Sequence, residues 1–113
     1  MKETIKNKNN NSVKTLNDLL NKKNIILSLA DKYGLIDVRL FGSIVRGEET
    51  ENSDIDIAVN FKTDGNFNSG YYDRLMNFKY DLSKVFSKEI DVLAEEELRP
   101  IIKLKLDKEG IRL

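Results

Sequence analysis

The sequence predicts a small α/β domain with its elements in the order ααβαβαβα. Three observations carry that prediction. Three short segments alternate apolar and polar residues with the period of a strand, amphipathic segments of helical period lie before and between them, and 113 residues suffice for one modest core. Apolar residues make up 40% and charged residues 34% of the chain, a balance that belongs to folded proteins rather than to disordered polyelectrolytes.

Residues 1–12 are rich in Lys and Asn and poor in apolar anchors, so they read as a flexible lead-in to a single domain spanning 13–113. Thr15, with Asp18 three residues on, resembles a capping box, and Leu16, Leu19 and Leu20 share one side of a first helix that runs to Asn21. Asn24 is a candidate cap for a second helix, in which Ile25, Ile26, Leu29, Ala30 and Tyr33 form an apolar stripe closed by Gly34. The period then changes to two. Ile36, Val38 and Leu40 alternate with Asp37 and Arg39 up to Phe41, a half-buried strand that Gly42 ends. Residues 43–47 read as a short helical turn and 48–52 as an acidic loop. Residues 54–59 alternate again as a second strand, and the Asp-Gly, Asn and Ser-Gly chemistry of 63–70 marks a surface loop.

Tyr71, Leu75, Phe78, Leu82 and Val85 recur at spacings of four and three, with Tyr72, Met76 and Phe86 alongside, which makes this the best amphipathic helix of the chain. Tyr71 and Tyr72 read as core residues, with stacking on a base as the alternative. Tyr80 falls off the stripe and is a candidate partner contact. Residues 89–94 form a third strand, with Ile90 and Val92 on one side and Asp91 and Leu93 on the other. Glu95, Glu96 and Glu97 suit the first turn of a last helix, where the dipole favours acids; Pro100 is placed early in it and Gly110 closes it. Ile111, Arg112 and Leu113 are left as a candidate fourth strand.

Composition narrows the chemistry. The chain has no Cys and no His, which removes disulfides, thiol nucleophiles, a catalytic triad and most zinc sites together. An enzyme built from this sequence must work with carboxylates, hydroxyls, Lys, Arg and recruited ions, and that points to metal-assisted or phosphate chemistry. Lys plus Arg and Asp plus Glu each total 19, so the general attraction to polyphosphate that long nucleic acids require is missing. Residues 1–33 hold seven Lys against three acids, and the remainder holds twelve basic against sixteen acidic residues. No apolar run is long enough to span a membrane, and a cytoplasmic location is expected.

Three groups of residues carry the candidate chemistry. Asp54 and Asp56, two apart on a strand, project to one face, and like charges that close repel unless a cation lies between them; carboxylates with phosphate oxygens and water make a typical Mg²⁺ site. The plain alternative is a decorated, solvated strand face. Gly42 and Ser43 lie where a strand enters a tight turn, suited to close approach of phosphate oxygens, or else to simple helix capping. Arg46 reaches either phosphates or an acid of the 48–51 loop. Asp91, on a strand expected beside the second one, would bring a third carboxylate to the first two and help an attacking hydroxyl lose its proton.

These residues together resemble a known family. Gly42-Ser43-x-x-Arg46-Gly47, then Ser53-Asp54-Ile55-Asp56, then Asp91 is similar to the signature of the DNA polymerase beta-like nucleotidyltransferases, specifically the minimal nucleotidyltransferase branch, over residues 24–113. The resemblance implies a small mixed sheet of three to four strands flanked by helices. It implies Mg²⁺, two ions in a complete site, held by the catalytic acids Asp54, Asp56 and Asp91, with ATP as donor and Gly42, Ser43, Arg46 and Ser53 binding the nucleotide. The implied reaction moves a nucleoside monophosphate, AMP from ATP, to a hydroxyl. Small members of the branch are often antitoxins that adenylylate a tyrosine of a HEPN-type toxin, so the resemblance implies a protein partner in a hetero-oligomer. A binding antitoxin without catalysis and an enzyme acting on a small molecule of aminoglycoside type are the alternatives. Val45 stands where a smaller residue is common, and Ser87-Lys88-Glu89 replaces a glycine-containing approach to the third acid.

Overall fold

The computed structural model describes residues 10–47, 54–63 and 70–113. They form α1 (Asn10–Asn21), α2 (Lys23–Lys32), β1 (Leu35–Phe41), α3 (Ser43–Arg46), β2 (Ile55–Phe61), α4 (Tyr71–Phe86), β3 (Ile90–Ala94), a 3₁₀ turn (Glu95–Glu97), α5 (Pro100–Glu109) and β4 (Ile111–Arg112). The strands make one mixed sheet in the order β3-β2-β1-β4. β1 pairs antiparallel with β2 and β4, and β2 pairs parallel with β3. Two parallel neighbours need a crossover, which α4 supplies.

The strand alternation sorts the side chains onto two faces. Ile55, Ile57 and Val59 of β2 are fully buried and pack with Leu19 of α1, Ile26 and Ala30 of α2, and Phe78 and Leu82 of α4 in the main core. On the other face Ala58 meets Phe41 and Leu106 of α5, with Leu93, Leu98 and Ile102 around them. Asp56 alternates onto this second, α5-covered face with Ala58 and Asn60.

Several local expectations change. α1 starts at Asn10, inside the stretch 1–12 that reads as a lead-in, so Thr15 lies within the helix instead of capping it. The N-cap of α2 is Lys22, which puts Asn24 in the first turn. Gly34 does close that helix, at φ +68°. The alternation of β1 is broken at Asp37, which takes φ +54°. The register there steps from Ile36↔Asn60 to Arg39↔Ala58, three residues of β1 against two of β2. This bulge turns Ile36 out to 43% exposure while Leu35, Val38 and Leu40 stay buried. Asn60 Nδ2 and Arg112 Nη1 each donate to the Asp37 carboxylate at 3.1 Å, which holds the left-handed residue in place. Tyr72, read as core, is 71% exposed.

Glu95 departs furthest from its expected role. It sits in a 3₁₀ turn, and α5 begins only at Pro100, so it does not serve a helix dipole. It is buried under α5. Arg39 Nη2 reaches Glu95 Oε2 at 2.7 Å, Lys103 Nζ bonds its other oxygen, and Asn60 Nδ2 donates to it at 3.0 Å. Burial pushes its carboxyl up, but the hydrogen bonds from Lys103 and Arg39 outweigh that and hold it below the usual carboxylate range. Asp107 adds a second acid to Arg39 at 3.1 Å. The network clamps α5 to the sheet face.

A second buried charge pins the main core. Arg74 of α4 is 4% exposed. Its Nε donates to the Tyr33 carbonyl at 2.7 Å, and its Nη2 donates to the carbonyls of Gly34 and, at 3.2 Å, Lys62. Phe61 and Tyr71 stack with ring centroids 4.1 Å apart, and the guanidinium lies 5.4 and 5.3 Å from them. One side chain thus ties the end of α2, the end of β2 and the start of α4. Arg74→Leu takes the guanidinium from those carbonyls, of which Gly34 keeps the Lys62 N–H at 2.8 Å, and a loss of about 3 kcal/mol is expected. Thermal denaturation should show a midpoint lower by roughly 10 °C or more.

Candidate functional site

The site begins with a register. In the parallel β2/β3 pair, Asp56 lies directly opposite Asp91. Parallel neighbours at the same level project to the same face with strands about 4.8 Å apart, so two carboxylates 35 residues apart in sequence meet side by side. Asp54, just before β2 and two residues from Asp56, is exposed on the same side. Asp56 is half-buried. Burial, then the charges of Asp91 and Asp54, push its carboxyl up to about 6, and Arg46 partly opposes them.

The Gly42 turn closes over this acid. Phe41 is paired with Asp56 across β1 and β2, so the next residue of the chain must pass its carboxylate. Gly42 does so at φ +83°, and a Cβ there would collide with the Asp56 Oδ2. Both the backbone angle and the space demand glycine. The Gly42 carbonyl accepts from the N–H groups of Val45 and Arg46 at 3.1 and 3.2 Å, which starts the single turn α3. Ser43 is half-buried at its first position, and Gly47 closes it at φ +79°. Val45 is accommodated by packing against the main core. Before β3, Ser87 adopts the left-handed φ +49°, the conformation a glycine would take at less cost.

The structure thus gathers Gly42, Asp54, Asp56 and Asp91, with Ser43 and Arg46 on the adjoining turn. Ser53 and the 48–52 loop lie outside the described residues. Arg46 Nη1 pairs with Glu109 Oε2 at 3.4 Å, an acid from the end of α5. Nothing local in the sequence marks a partner 63 residues away. The same holds for the Arg39–Glu95 clamp beneath α5.

Among the described residues no three carboxylates are close enough to cage an ion by themselves. Mg²⁺ does not need such a cage: it is usually bound through one or two carboxylates, with substrate phosphates and water completing the shell. The crowding of Asp56 by two acids is the imbalance a divalent cation removes. The residues fit Mg²⁺ held through Asp56 with Asp91 or Asp54.

A family profile described as nucleotidyltransferase domain matches residues 22–112. The chain belongs to the nucleotidyltransferase domain family. This nucleotidyltransferase is 34% identical over 89 residues to a candidate protein adenylyltransferase of Methanocaldococcus jannaschii, a match covering 79% of this chain and 90% of that one. It shares its fold with a candidate minimal nucleotidyltransferase of known structure at 30% identity and TM-score 0.72, over 87% of this chain and 95% of that one. It also resembles, at 20% identity and TM-score 0.56, a Shewanella oneidensis complex described as a tri-AMPylated HEPN toxin with an MNT antitoxin; that match covers 80% of this chain and 67% of the other.

Two outcomes follow for the nucleotidyltransferase. Gly42→Ala forces Asp56 aside and strains the turn, so nucleotide transfer is expected to fall on the order of 10²-fold with a measurable loss of stability. Asp56 binds its proton more tightly in the folded chain than in the unfolded one, so it weakens folding progressively as pH rises from about 4 through about 6. In the absence of divalent cations, Asp56→Asn is therefore expected to raise the melting temperature at pH 7.5. The gain should shrink towards pH 4, as thermal scans at several pH values will show.

Proposed function

We propose that this nucleotidyltransferase moves AMP from ATP to a hydroxyl of a partner protein, a tyrosine of a HEPN-type toxin, and so acts as the antitoxin of a toxin–antitoxin pair. The observation that carries the reading is the pairing of Asp56 with Asp91 beneath the Gly42 turn. Support for the acceptor class comes from the relative named for protein adenylyltransfer and from the AMPylated toxin complex.

Mg²⁺, when bound, neutralises the charge of the triphosphate at the reacting phosphorus. The chain's own residues do the rest. Asp54 and Asp56 fix the donor from the strand face, and the Gly42 turn, whose missing side chain makes room for the Asp56 carboxylate, is assigned to the phosphate oxygens. Ser43, Arg46 and Ser53 are assigned to the phosphates, with Arg46 exchanging Glu109 for them. Asp91, on the edge strand β3, takes the proton of the attacking hydroxyl. The new bond forms between that oxygen and the α-phosphorus, the bond to the β-phosphate oxygen breaks, and pyrophosphate leaves in line. Positioning and charge neutralisation supply most of the acceleration.

The test is incubation with ATP, Mg²⁺ and a HEPN-type toxin followed by intact-mass measurement of the toxin. A gain of one or more AMP units is expected, lost on the order of 10²-fold or more in Asp56→Asn and Asp91→Asn. Inhibition of the toxin with its mass unchanged would replace this reading with a purely stoichiometric antitoxin.

A further inference from the structure

β3 is the outer strand of the sheet, and among the described residues nothing pairs with its far side. The Ile55 N–H donates to the Glu89 carbonyl at 2.9 Å, and in a parallel ladder that contact turns the backbone groups of Asp91 and Leu93 towards β2 as well. The N–H and C=O groups of Ile90, Val92 and Ala94 therefore point outward. Proteins usually blunt such an edge with a bulge, a charge or a cover. Here apolar surface runs beside it instead. Tyr72, Met76 and Tyr80 follow one another at spacings of four along α4 and are 71%, 40% and 62% exposed. A cleft of about 240 Å³ joins this stripe to the strand, lined by Tyr72, Met76, Val92, Leu93, Ala94 and Glu97 among others.

Charge selects the occupant. Glu97 lines the cleft, Asp73, Glu89 and Glu96 are exposed at neighbouring positions of α4 and the ends of β3, and Lys84 sits over the Tyr80 ring, beyond the cleft lining. A second copy is ill-suited, because antiparallel self-pairing of β3 sets Glu89 of each chain against the acidic turn at Glu95–Glu97 of the other. An extended segment of a different protein, apolar at alternate positions and flanked by Lys or Arg, satisfies the edge, the cleft and the charge together.

We propose that the acceptor protein docks as a fifth strand, antiparallel to β3, with its apolar side chains in the α4 cleft and its basic residues against Glu89 and Glu96–Glu97. This rests on the transfer reading above and specifies how the acceptor reaches the site. Side chains of an added strand alternate: those beside Val92 meet the Tyr72–Met76 stripe, and those beside Asp91 meet the face that carries Asp56. Because Ile90, Val92 and Ala94 make the hydrogen bonds, Asp91 falls at a non-hydrogen-bonded position, where cross-strand Cβ atoms are closest at about 4.5–5.5 Å. A hydroxyl residue opposite or diagonal to it arrives beside the acid that takes its proton.

Two synthetic nonapeptides test this with the full chain, one with alternating Val and Tyr between paired lysines and one with glutamates replacing the lysines. Fluorescence anisotropy is expected to show a preference of about tenfold or more for the lysine peptide, with slowed amide exchange at Ile90, Val92 and Ala94. Tyr72→Glu combined with Met76→Glu, both at exposed positions, should weaken that binding by about tenfold or more while circular dichroism stays unchanged. Equal or undetectable binding of the two peptides, protection elsewhere in the chain, or a peptide-free dimer that protects the same amides overturns the proposal. So does AMP transfer to a toxin that the double variant leaves at full rate. Binding at β3 without any gain of AMP would instead support the docking surface and defeat the transfer reading.

Discussion

Two carboxylates placed side by side on adjacent parallel strands are the constraint around which this molecule is arranged. The β2/β3 register sets Asp56 against Asp91, and burial beneath the Gly42 turn leaves Asp56 little water with which to screen its neighbours. A fold gains nothing from such an arrangement on its own, because it weakens folding at neutral pH. In the proposed reaction a cation and phosphates relieve it, the usual compromise between stability and activity at a catalytic site.

The surrounding structure holds that arrangement still. α4 carries the chain across to make β3 parallel to β2, and Arg74 locks the start of α4 to the ends of α2 and β2 through three carbonyls. On the opposite face the Arg39–Glu95–Lys103 clamp fixes α5, and the last residue of α5, Glu109, reaches Arg46 on the turn above Asp56. Arg74 and Glu95 each bind groups from several elements, so each fixes the relative position of elements more than it adds net stability. The sheet ends at β3, whose outer edge carries Asp91 on the Asp56 face and borders the Tyr72–Met76 stripe on the α4 face.

Much of this was legible in the residues themselves. Alternation located β1, β2 and β3, and four-three spacing located α4, because burial on one face leaves a periodic trace. The acids stood out because like charges two apart on a strand face repel, and the family signature grouped them with the Gly42 turn, which the structure does set against Asp56. Other features carry no such local trace. The bulge at Asp37 depends on Asn60 and Arg112, and it turned Ile36 outward against a clean alternation. Arg74, near the start of α4, has nothing in its local sequence to mark the carbonyls of Tyr33, Gly34 and Lys62 that it binds. Glu95 looked like helix-start electrostatics because its partners Arg39 and Lys103 come from another strand and from the helix that follows. Tyr72 fell alongside the apolar stripe, yet the sheet ends before reaching it.

The most direct measurement is the titration of the Asp56 side chain by carbon-detected NMR in the metal-free protein, repeated in Asp91→Asn. The midpoint is expected near pH 6 and should move down when the neighbouring charge is removed. A midpoint near the ordinary aspartate value of 3.8, indifferent to Asp91→Asn, would contradict it.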